Sequence, residues 1–507
     1  MSLFDALVDA SRKYGAKKPI LEDQERNPLT YTDLIRAAFA LGRKIAGFTA
    51  KGERVGIMLP ASSAAVVTFF ALHAFGRTPT MLNFTSGIRN LKAACELAGV
   101  KRVLTSHRFV EQGKLHDLID ALDTLTTVTY LEDVRETVGL PDKLIAAAAA
   151  AFPKQFRAGS SPSDPGVILF TSGSFGAPRG VVLTQANLIA NVRQVAQHIT
   201  LDLDWVMFNP LPTFHCFGLT GGALLPILSG LKSFQYPSPL HVKQIPALVK
   251  DTGASVLFAT DTFINQYVRA AEPGELSGLK FVVCGAEKVR EETHNLIAEK
   301  FGPIPLLEGY GATEAAPVIA VNTPGDNRRG TVGGLLPGVE VRLEPVEGIP
   351  GGGRLFVRGP NIMAGYLTPG GGIEPPVDGW HDTGDVVSLS DDDWIKILGR
   401  VKRFAKIGGE LVSLTAAEDL AVAVWPDGRH AVVALPDPKK GERLILVTDR
   451  RDADAAALIA HAQAIGAPEI AVPRKIIKVQ EIPVLGTGKT DYVALQRIVD
   501  AEMRRAA

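Results

Sequence analysis

The sequence of 507 residues predicts a large α/β domain, a small antiparallel β subdomain and a C-terminal α+β domain. Through the first 400 residues, short apolar runs rich in β-forming residues alternate with helix-like stretches, which is typical of parallel α/β sheets. Beyond residue 320 the runs shorten and are separated by Gly and Pro, as in GVEVRL and GGRLFVRG, which indicates antiparallel strands. A basic segment at 400–406 then precedes a mixed pattern of helices and strands. We therefore expect domains at 1–400 and 401–507.

The individual elements follow from apolar periodicity and turn residues. Buried strands are expected at 255–259, 279–284 and 304–307, and the last two lead into polar, glycine-bearing turns at 285–288 and 308–314. Because ligands of open α/β sheets bind at the carboxyl ends of strands, a site is expected at these two turns. In the C-terminal domain the pattern predicts the following elements: a helix at 415–424, strands near 430–435 and 443–448, a helix at 453–464, a strand at 475–479 and a terminal helix.

Composition excludes several classes of protein. The chain has 54 basic and 54 acidic side chains, is 46% hydrophobic and carries no net charge, which fits neither a nucleic-acid-binding nor a disordered protein. Its three cysteines are far apart and form no CxxC pair, so a reducing, cytoplasmic location is expected. The uncharged run at 205–231 is long enough to cross a membrane, but three prolines and four glycines interrupt it. We expect buried strand, loop and helix there, with membrane contact as the alternative.

One loop has the composition of a phosphate-binding site. The apolar run VILF is followed by TSGSFGAPRG at 171–180 and then by VVLT. Backbone N–H groups and hydroxyls in such a loop can surround phosphate oxygens, and Arg179 adds a positive charge. The loop returns to a strand, so it is no Walker loop, and a glycine-rich hairpin without a ligand is the alternative. The GTGKT segment at 486–490 resembles the end of a Walker motif, but Pro483 occupies the position of its first glycine.

Two further segments carry carboxylates in predicted turns. YGATE at 310–314 offers a hydroxyl and a carboxylate suited to phosphate and Mg²⁺. HDTGD at 381–385 offers a carboxylate that can accept hydrogen bonds from two vicinal hydroxyls. Taken singly, each is as well explained by a capped turn. Their presence in one chain favours a shared site.

Together these segments resemble the adenylate-forming superfamily of acyl-CoA synthetases, peptide-synthetase adenylation domains and luciferases. The resemblance covers essentially the whole chain, and it extends to GRVKRFAKIGGELVSL at 399–414 and PVLGTGKTDYVAL at 483–495. It implies two α/β sheet subdomains and a mobile C-terminal domain that carries a catalytic lysine. The implied reaction joins a carboxylate to ATP to give an acyl-adenylate, after which a pantetheine thiol displaces AMP.

The resemblance also implies site residues and the cofactors ATP and Mg²⁺. Lys489, Thr313, Glu314 and His215 are the implied catalytic residues, with Glu314 as the Mg²⁺ ligand and with a buried core histidine as the alternative for His215. The β and γ phosphates would contact Thr171, Ser172, Gly173, Ser174, Gly176 and Arg179. Adenine and ribose would contact Gly285, Ala286, Glu308, Gly309, Tyr310, Asp385 and Arg400. The pantetheine thiol would pass Gly408, Gly409 and Glu410.

A narrower likeness concerns the acceptor. LPTFHCFGLT, GAEK, GPNIMAGYL and RFAKIGGELVSL are similar to the acyl-ACP synthetase half of the bifunctional 2-acylglycerophosphoethanolamine acyltransferase/acyl-ACP synthetase. This implies a free-standing fatty acyl-ACP synthetase in the cytoplasm, with peripheral association at the inner membrane as the alternative location. An acyl-CoA synthetase and a non-catalytic adenylate-binding protein are the alternatives. Candidate docking cations for an acidic carrier are Arg403, Lys406, Arg474, Lys475 and Lys478.

Three positions depart from the pattern of the superfamily. Phe175 stands where a threonine is usual, and Arg179 replaces the usual lysine, so the affinity for ATP is expected to be lower. Arg403 occupies the position of the usual hinge aspartate, as in the resembled branch. The acyl chain length is not indicated by the sequence.

Overall fold

A computed structural model describes residues 1–172, 178–347, 349, 351–407, 410–437, 440–485 and 489–505. The strands are β1 Pro19–Asp23, β2 Leu29–Thr30, β3 Arg54–Ile57, β4 Thr78–Met81, β5 Arg102–Thr105, β6 Thr127–Tyr130, β7 Pro165–Ser172, β8 Pro178–Thr184, β9 Val206–Asn209, β10 Lys232–Gln235, β11 Val256–Ala259, β12 Phe281–Cys284, β13 Leu306–Gly311, β14 Val318–Val321, β15 Gly334–Leu335, β16 Glu340–Pro345, β17 Gly353–Arg358, β18 Gly365–Leu367, β19 Ile373–Glu374, β20 His381–Leu389, β21 Ile395–Arg400, β22 Phe404–Ile407, β23 Glu410–Ser413, β24 His430–Asp437, β25 Gly441–Thr448 and β26 Lys475–Lys478.

The α-helices are α1 Leu3–Tyr14, α2 Tyr31–Ala46, α3 Ser63–Ala74, α4 Ile88–Ala98, α5 His107–Gly113, α6 His116–Asp123, α7 Leu131–Glu136, α8 Leu140–Ala151, α9 Pro153–Phe156, α10 Gln185–His198, α11 Leu225–Ser229, α12 Gln244–Asp251, α13 Asp261–Ala270, α14 Glu291–Phe301, α15 Leu414–Val424, α16 Ala455–Ala464 and α17 Tyr492–Arg505. A π-helix, Phe217–Leu224, precedes α11, and a 3₁₀ turn, Thr313–Ala315, follows β13. No helix in these described ranges is long and apolar enough to cross a membrane.

The strands form four sheets, as the predicted fold class requires. One sheet has the order β15-β14-β13-β12-β11-β9-β10-β1-β2, and a second has the order β19-β18-β8-β7-β4-β3-β5-β6. The small antiparallel sheet is β16-β17-β20-β21, and the C-terminal sheet contains β22 to β26. The predicted fold class is confirmed, including the two α/β sheets and the elements expected after residue 401.

The two large sheets share one hydrophobic core, which fixes their relative position. This core includes Leu21 of the first sheet, Val167 of the second and Phe39 of α2. Helix α2 begins at a capping box in which Thr30 and Asp33 bond each other's backbone N–H groups, and its buried apolar face then recurs with helical spacing. The shared core therefore brings loops from both sheets to one side of the molecule.

Two local expectations were wrong. HDTGD is not a turn, because residues 381–385 begin strand β20, and Gly384 provides the positive φ of 69° within it. His215 does not end a strand, because β9 stops at Asn209 and His215 lies in the turn that leads into the π-helix.

Candidate functional site

The predicted phosphate loop joins two paired strands of the second sheet. Strands β7 and β8 are antiparallel, with Thr171 opposite Arg179 and Ser172 opposite Pro178. This confirms the expected strand, loop and strand arrangement. Gly173, Ser174 and Gly176, predicted as phosphate contacts, lie outside the described residues, as does Phe175.

Arg179 is linked to Glu314 through a tyrosine. The guanidinium of Arg179 lies 3.5 Å from the ring centroid of Tyr366, and the Tyr366 hydroxyl donates to Glu314 Oε1 at 2.6 Å. Tyr366 belongs to β18, which pairs with β8, so the sheet itself sets this arrangement. Tyr366 was not among the predicted site residues, although it lies in the GPNIMAGYL motif. Thr313 lies beside Glu314 in the 3₁₀ turn and is half-buried.

Asp385 is a buried carboxylate with two close donors. Arg400 Nε donates to Asp385 Oδ1, and the Tyr310 hydroxyl donates to Asp385 Oδ2, both at 2.5 Å. Asp385 and Arg400 are opposite residues of β20 and β21. Burial by itself would lower the pKa of Arg400, but the charge and hydrogen bond of Asp385 outweigh it and raise that pKa. A carboxylate has about four acceptor positions, so Asp385 can still accept two hydroxyls.

The turn after β12 lies beside the end of β13, because Cys284 pairs with Glu308 in parallel strands; residues 308–311 are thus strand and not the start of the expected turn. Glu308 Oε2 accepts the backbone N–H of Val289 at 3.0 Å, and burial raises the pKa of Glu308. The Glu308 carboxylate therefore links the turn after β12 to strand β13. At Gly285, an added Cβ would lie 3.0 Å from the ring of Phe217, so a larger residue would displace that ring.

Other residues predicted to contact adenine remain accessible around these turns. Ala286 is exposed and has a positive φ of 71°, while Gly309 and Tyr310 are half-buried. Burial, followed by the charge of Asp385, raises the pKa of Tyr310 well above its ordinary value, so its hydroxyl is a donor at neutral pH.

Lys489, from the C-terminal domain, reaches this site. Taken as a whole residue Lys489 is exposed, yet desolvation of its ammonium group is the first cause of a lowered pKa. The charge of Arg400 lowers this pKa further, whereas Glu287 and Asp385 oppose the change. The structure thus brings Lys489 together with the predicted ribose-binding pair.

His215 faces the same ammonium group. Burial, with the charge of Lys489 as a second cause, lowers the pKa of His215 to about 4, so its imidazole is neutral at physiological pH. Within the described residues its Nε2 atom is buried without a hydrogen-bond partner, and so is Thr213 Oγ1. Buried polar atoms without partners are uncommon and call for an explanation, such as a ligand.

An apolar cavity begins two residues beyond His215. It lies between α10 and the first sheet and has a volume of about 40 Å³. Its wall includes Val192, Phe217, Gly221, Leu225 and Phe258. The small and apolar residues at 218–226 predict the lining of an acyl tunnel, and Thr220, Gly221 and Leu225 from that segment line this cavity. An apolar cavity of this kind favours a hydrocarbon over water.

The predicted thiol path and docking cations have mixed outcomes. Glu410 is exposed in β23, whereas Gly408 and Gly409 lie outside the described residues. Arg403 is no free surface cation: its guanidinium donates to Glu418 Oε1 at 2.6 Å and to the Val432 carbonyl at 2.7 Å. Its side chain is only 15% exposed, so its assignment to carrier docking was wrong.

The other docking candidates lie at or near the surface. Lys406 is exposed and Lys475 is half-buried, while Arg474 forms an exposed ion pair with Glu469 at 2.7 Å. Lys478 Nζ donates to the carbonyl of Arg451 at 2.7 Å.

Comparison with known proteins agrees with the fold and with the site residues described above. The model of the family described as AMP-binding enzyme matches residues 7–367, so the chain belongs to that family. It is an enzyme of the adenylate-forming acid–thiol ligase class.

Individual relatives are CoA ligases. The chain is 29% identical to 4-coumarate--CoA ligase 2 of Oryza sativa subsp. japonica over 441 residues, covering 80% of this chain and 75% of that one. It is 25% identical to the medium-chain fatty-acid--CoA ligase of Escherichia coli K12, covering 99% and 91%. Among solved structures, ATP-bound MatB from Rhodopseudomonas palustris has the same fold, with a TM-score of 0.82 at 24% identity, covering 98% of this chain and 99% of that one.

Proposed function

We propose that the protein activates a fatty acid with ATP to an acyl-adenylate and transfers the acyl group to the pantetheine thiol of acyl carrier protein. The observation that carries this proposal is the arrangement around His215. His215 has a buried Nε2 without a partner, the charge of Lys489 acts on its imidazole, and Phe217, two residues further along the chain, lines an apolar cavity; a carboxylate bound at His215 would compensate both polar groups. A fatty acid combines these two chemical features.

The first step is attack of the substrate carboxylate on the α-phosphate of ATP. Lys489 would contact the carboxylate and the α-phosphate, so that its charge stabilises the transition state. Thr313 would contact the same phosphate. Asp385, held by Tyr310 and Arg400, would accept the ribose hydroxyls. The residues at 171–179 would hold the β and γ phosphates, and those at 285–286 and 308–310 would frame the adenine.

Glu314 would hold the Mg²⁺ ion. In the described part of the chain its carboxylate is hydrogen-bonded by a neutral phenol, that of Tyr366, and Arg179 stacks on the ring instead of pairing with the carboxylate. The full negative charge therefore stays available to a hard cation with oxygen ligands. When bound, Mg²⁺ would neutralise charge on the departing pyrophosphate.

For the second step, the thiol must reach the position of Lys489, so residues 401–507 would rotate relative to 1–400. The segment Gly408, Gly409 and Glu410 would then line the path of the thiol. CoA is the alternative acceptor, and the relatives named as CoA ligases support it, whereas the ACP assignment rests on the likeness of the sequence motifs to acyl-ACP synthetases. Turnover with holo-ACP and with CoA at equal concentration distinguishes them: use of CoA alone would overturn the ACP assignment.

The central experiment is fatty-acid-dependent exchange of pyrophosphate into ATP, across acids from short to long chain. We expect exchange with at least one saturated fatty acid and a strict requirement for Mg²⁺. Absence of exchange with every acid, together with retained binding of AMP, would identify a non-catalytic adenylate-binding protein instead.

We also infer peripheral contact with an anionic membrane, through α8 and α9. Four large apolar side chains are exposed there: Leu140, Leu144, Phe152 and Phe156. Lys143 and Lys154 lie among them, whereas Asp142 is buried and paired with Lys44. Cosedimentation with phosphatidylglycerol vesicles, lost in L144E/F152E, would support this; equal binding of that variant would refute it. We also propose a location in the reducing cytoplasm, which the three free cysteines support.

A further inference from the structure

The C-terminal domain contacts the site of the large domain at two places beside the turn after β12. At the rim, Lys288 Nζ lies 2.9 Å from Asp419 Oδ2, and the two side chains are 61% and 50% exposed. Deeper in the interface, Arg429 donates to Thr262 Oγ1 at 2.6 Å. Thr262 is only 8% exposed and Arg429 is half-buried, so the second contact is less accessible to water than the first.

The inner contact continues to a carboxylate. The backbone N–H of Thr262 donates to Glu287 Oε2 at 3.0 Å, and the Thr262 hydroxyl interacts with the same carboxylate. A hydroxyl can accept from Arg429 while it donates to Glu287, so one threonine connects the two charges. Burial raises the pKa of Glu287, and the charge of Arg429 opposes this change.

Glu287 faces a second cation of the C-terminal domain. The negative charges of Glu287 and, to a lesser extent, Asp385 raise the pKa of Lys489 and so oppose the effect of burial. Other charges near Glu287 belong to the large domain: Asp261, which raises its pKa, and Arg290, which is bonded to Asp261 at 2.5 Å. Rotation of the C-terminal domain would therefore remove both Arg429 and Lys489 from a shielded carboxylate.

We propose that Arg429 and Glu287 are positioning residues that hold the C-terminal domain in the orientation in which Lys489 enters the site. This inference rests on the proposed function, since it assigns that orientation to the adenylation step. The contact of Arg429 with Glu287 through Thr262 changes the fraction of molecules in this orientation. Neither charged residue touches the substrate in this proposal. Its loss therefore affects the first half-reaction and spares the second.

The test compares R429A and E287Q with D419A, which removes only the rim contact. R429A and E287Q should lower kcat for ATP–pyrophosphate exchange about tenfold with KM for ATP within about twofold, because the lost interaction involves a shielded charge. Thioester formation from supplied acyl-adenylate should stay within about twofold. D419A should change both rates by less than about twofold, because exposed ion pairs contribute little.

A second measurement reports the orientation without any substrate. In K288C/D419C, a short bis-maleimide joins the two domains when they adopt the observed orientation, and the native Cys95, Cys216 and Cys284 are buried. Adding R429A should slow this cross-linking severalfold, and R429K should give an intermediate rate if the variant retains part of the contact.

The outcomes separate the two proposals. Unchanged cross-linking in R429A, or equal loss of both half-reactions, would overturn the positioning role. Slower cross-linking in a protein that exchanges pyrophosphate with no acid would support the contact and refute the proposed function.

Discussion

At the scale of single residues, Lys489 is the side chain on which the proposed reaction depends most. The charges that act on its ammonium group are those of Arg400, Asp385 and Glu287, all in the large domain, although Lys489 is an exposed residue of the small one. We expect Lys489→Ala to lower the rate of exchange a hundredfold to a thousandfold, about the effect of removing one preorganised charge donor from a transition state. Initial rates of pyrophosphate exchange measure this.

The matched control is Lys396→Ala, which removes an exposed lysine from β21 in the large domain and should leave exchange unchanged. Lys489→Ala should also retain thioester formation from supplied acyl-adenylate, because the thiol takes the place of this lysine in the second step. Equal loss of both half-reactions in Lys489→Ala would contradict the rotation of the domain.

At the scale of elements, the segment between the domains is anchored to the C-terminal domain through Arg403. Arg403 donates to Glu418 and to Val432, and its guanidinium stacks 3.9 Å from the ring centroid of Tyr492. Tyr492 also donates to Glu418, at 3.0 Å. Arg403 therefore belongs to the C-terminal core, and any pivot lies before it, between Arg400 and Arg403.

Arg403→Ala should destabilise the C-terminal domain by about 3 kcal/mol, because it leaves the buried Glu418 carboxylate without its cation. The double variant Arg403→Ala/Glu418→Ala should lose less than the sum of the single losses, because no charge is left unpaired. Urea unfolding followed by tryptophan fluorescence measures both. Arg474→Ala breaks an exposed pair and should change the free energy of unfolding by less than about 1 kcal/mol; an equal loss in Arg403→Ala and Arg474→Ala would contradict the assignment.

Elements with a strong local signal were predictable. The strand pairs β7 and β8, and the turns after β12 and β13, follow from apolar runs that end in glycine-bearing turns. Side-chain contacts were not predictable, because they join segments that are distant in sequence. Tyr366 contacts Glu314 because β18 pairs with β8, and nothing near Arg403 in the sequence indicates Glu418 as its partner. HDTGD was mistaken for a turn because it contains Gly and Asp, which are typical of turns. In the structure Gly384 adopts its positive φ inside a strand.

At the scale of the whole molecule, zero net charge conceals an uneven distribution. Residues 401–507 hold 16 basic and 14 acidic side chains, so the small domain is slightly positive and the large domain slightly negative. Part of that positive charge, Arg403, Arg429 and Lys489, is committed to the domain core or to the interface. Of the cations predicted to dock a carrier protein, Lys406, Arg474, Lys475 and Lys478 lie at or near the surface, outside the site.

The stability of the whole molecule should fall as the pH falls below 6.5. His73 is buried in α3 against Phe69, and burial lowers its pKa to about 3, just as it lowers that of His215 to about 4. Between these values and 6.5, the unfolded chain binds protons that the folded chain excludes, so the free energy of unfolding decreases by about 1.4 kcal/mol per pH unit for each histidine. His73→Leu should reduce this slope by about one proton between pH 4.5 and 6, measured by urea unfolding at each pH. His116→Ala, which changes an exposed histidine, should keep the slope of the natural protein; an unchanged slope in His73→Leu would show that His73 takes up its proton without unfolding.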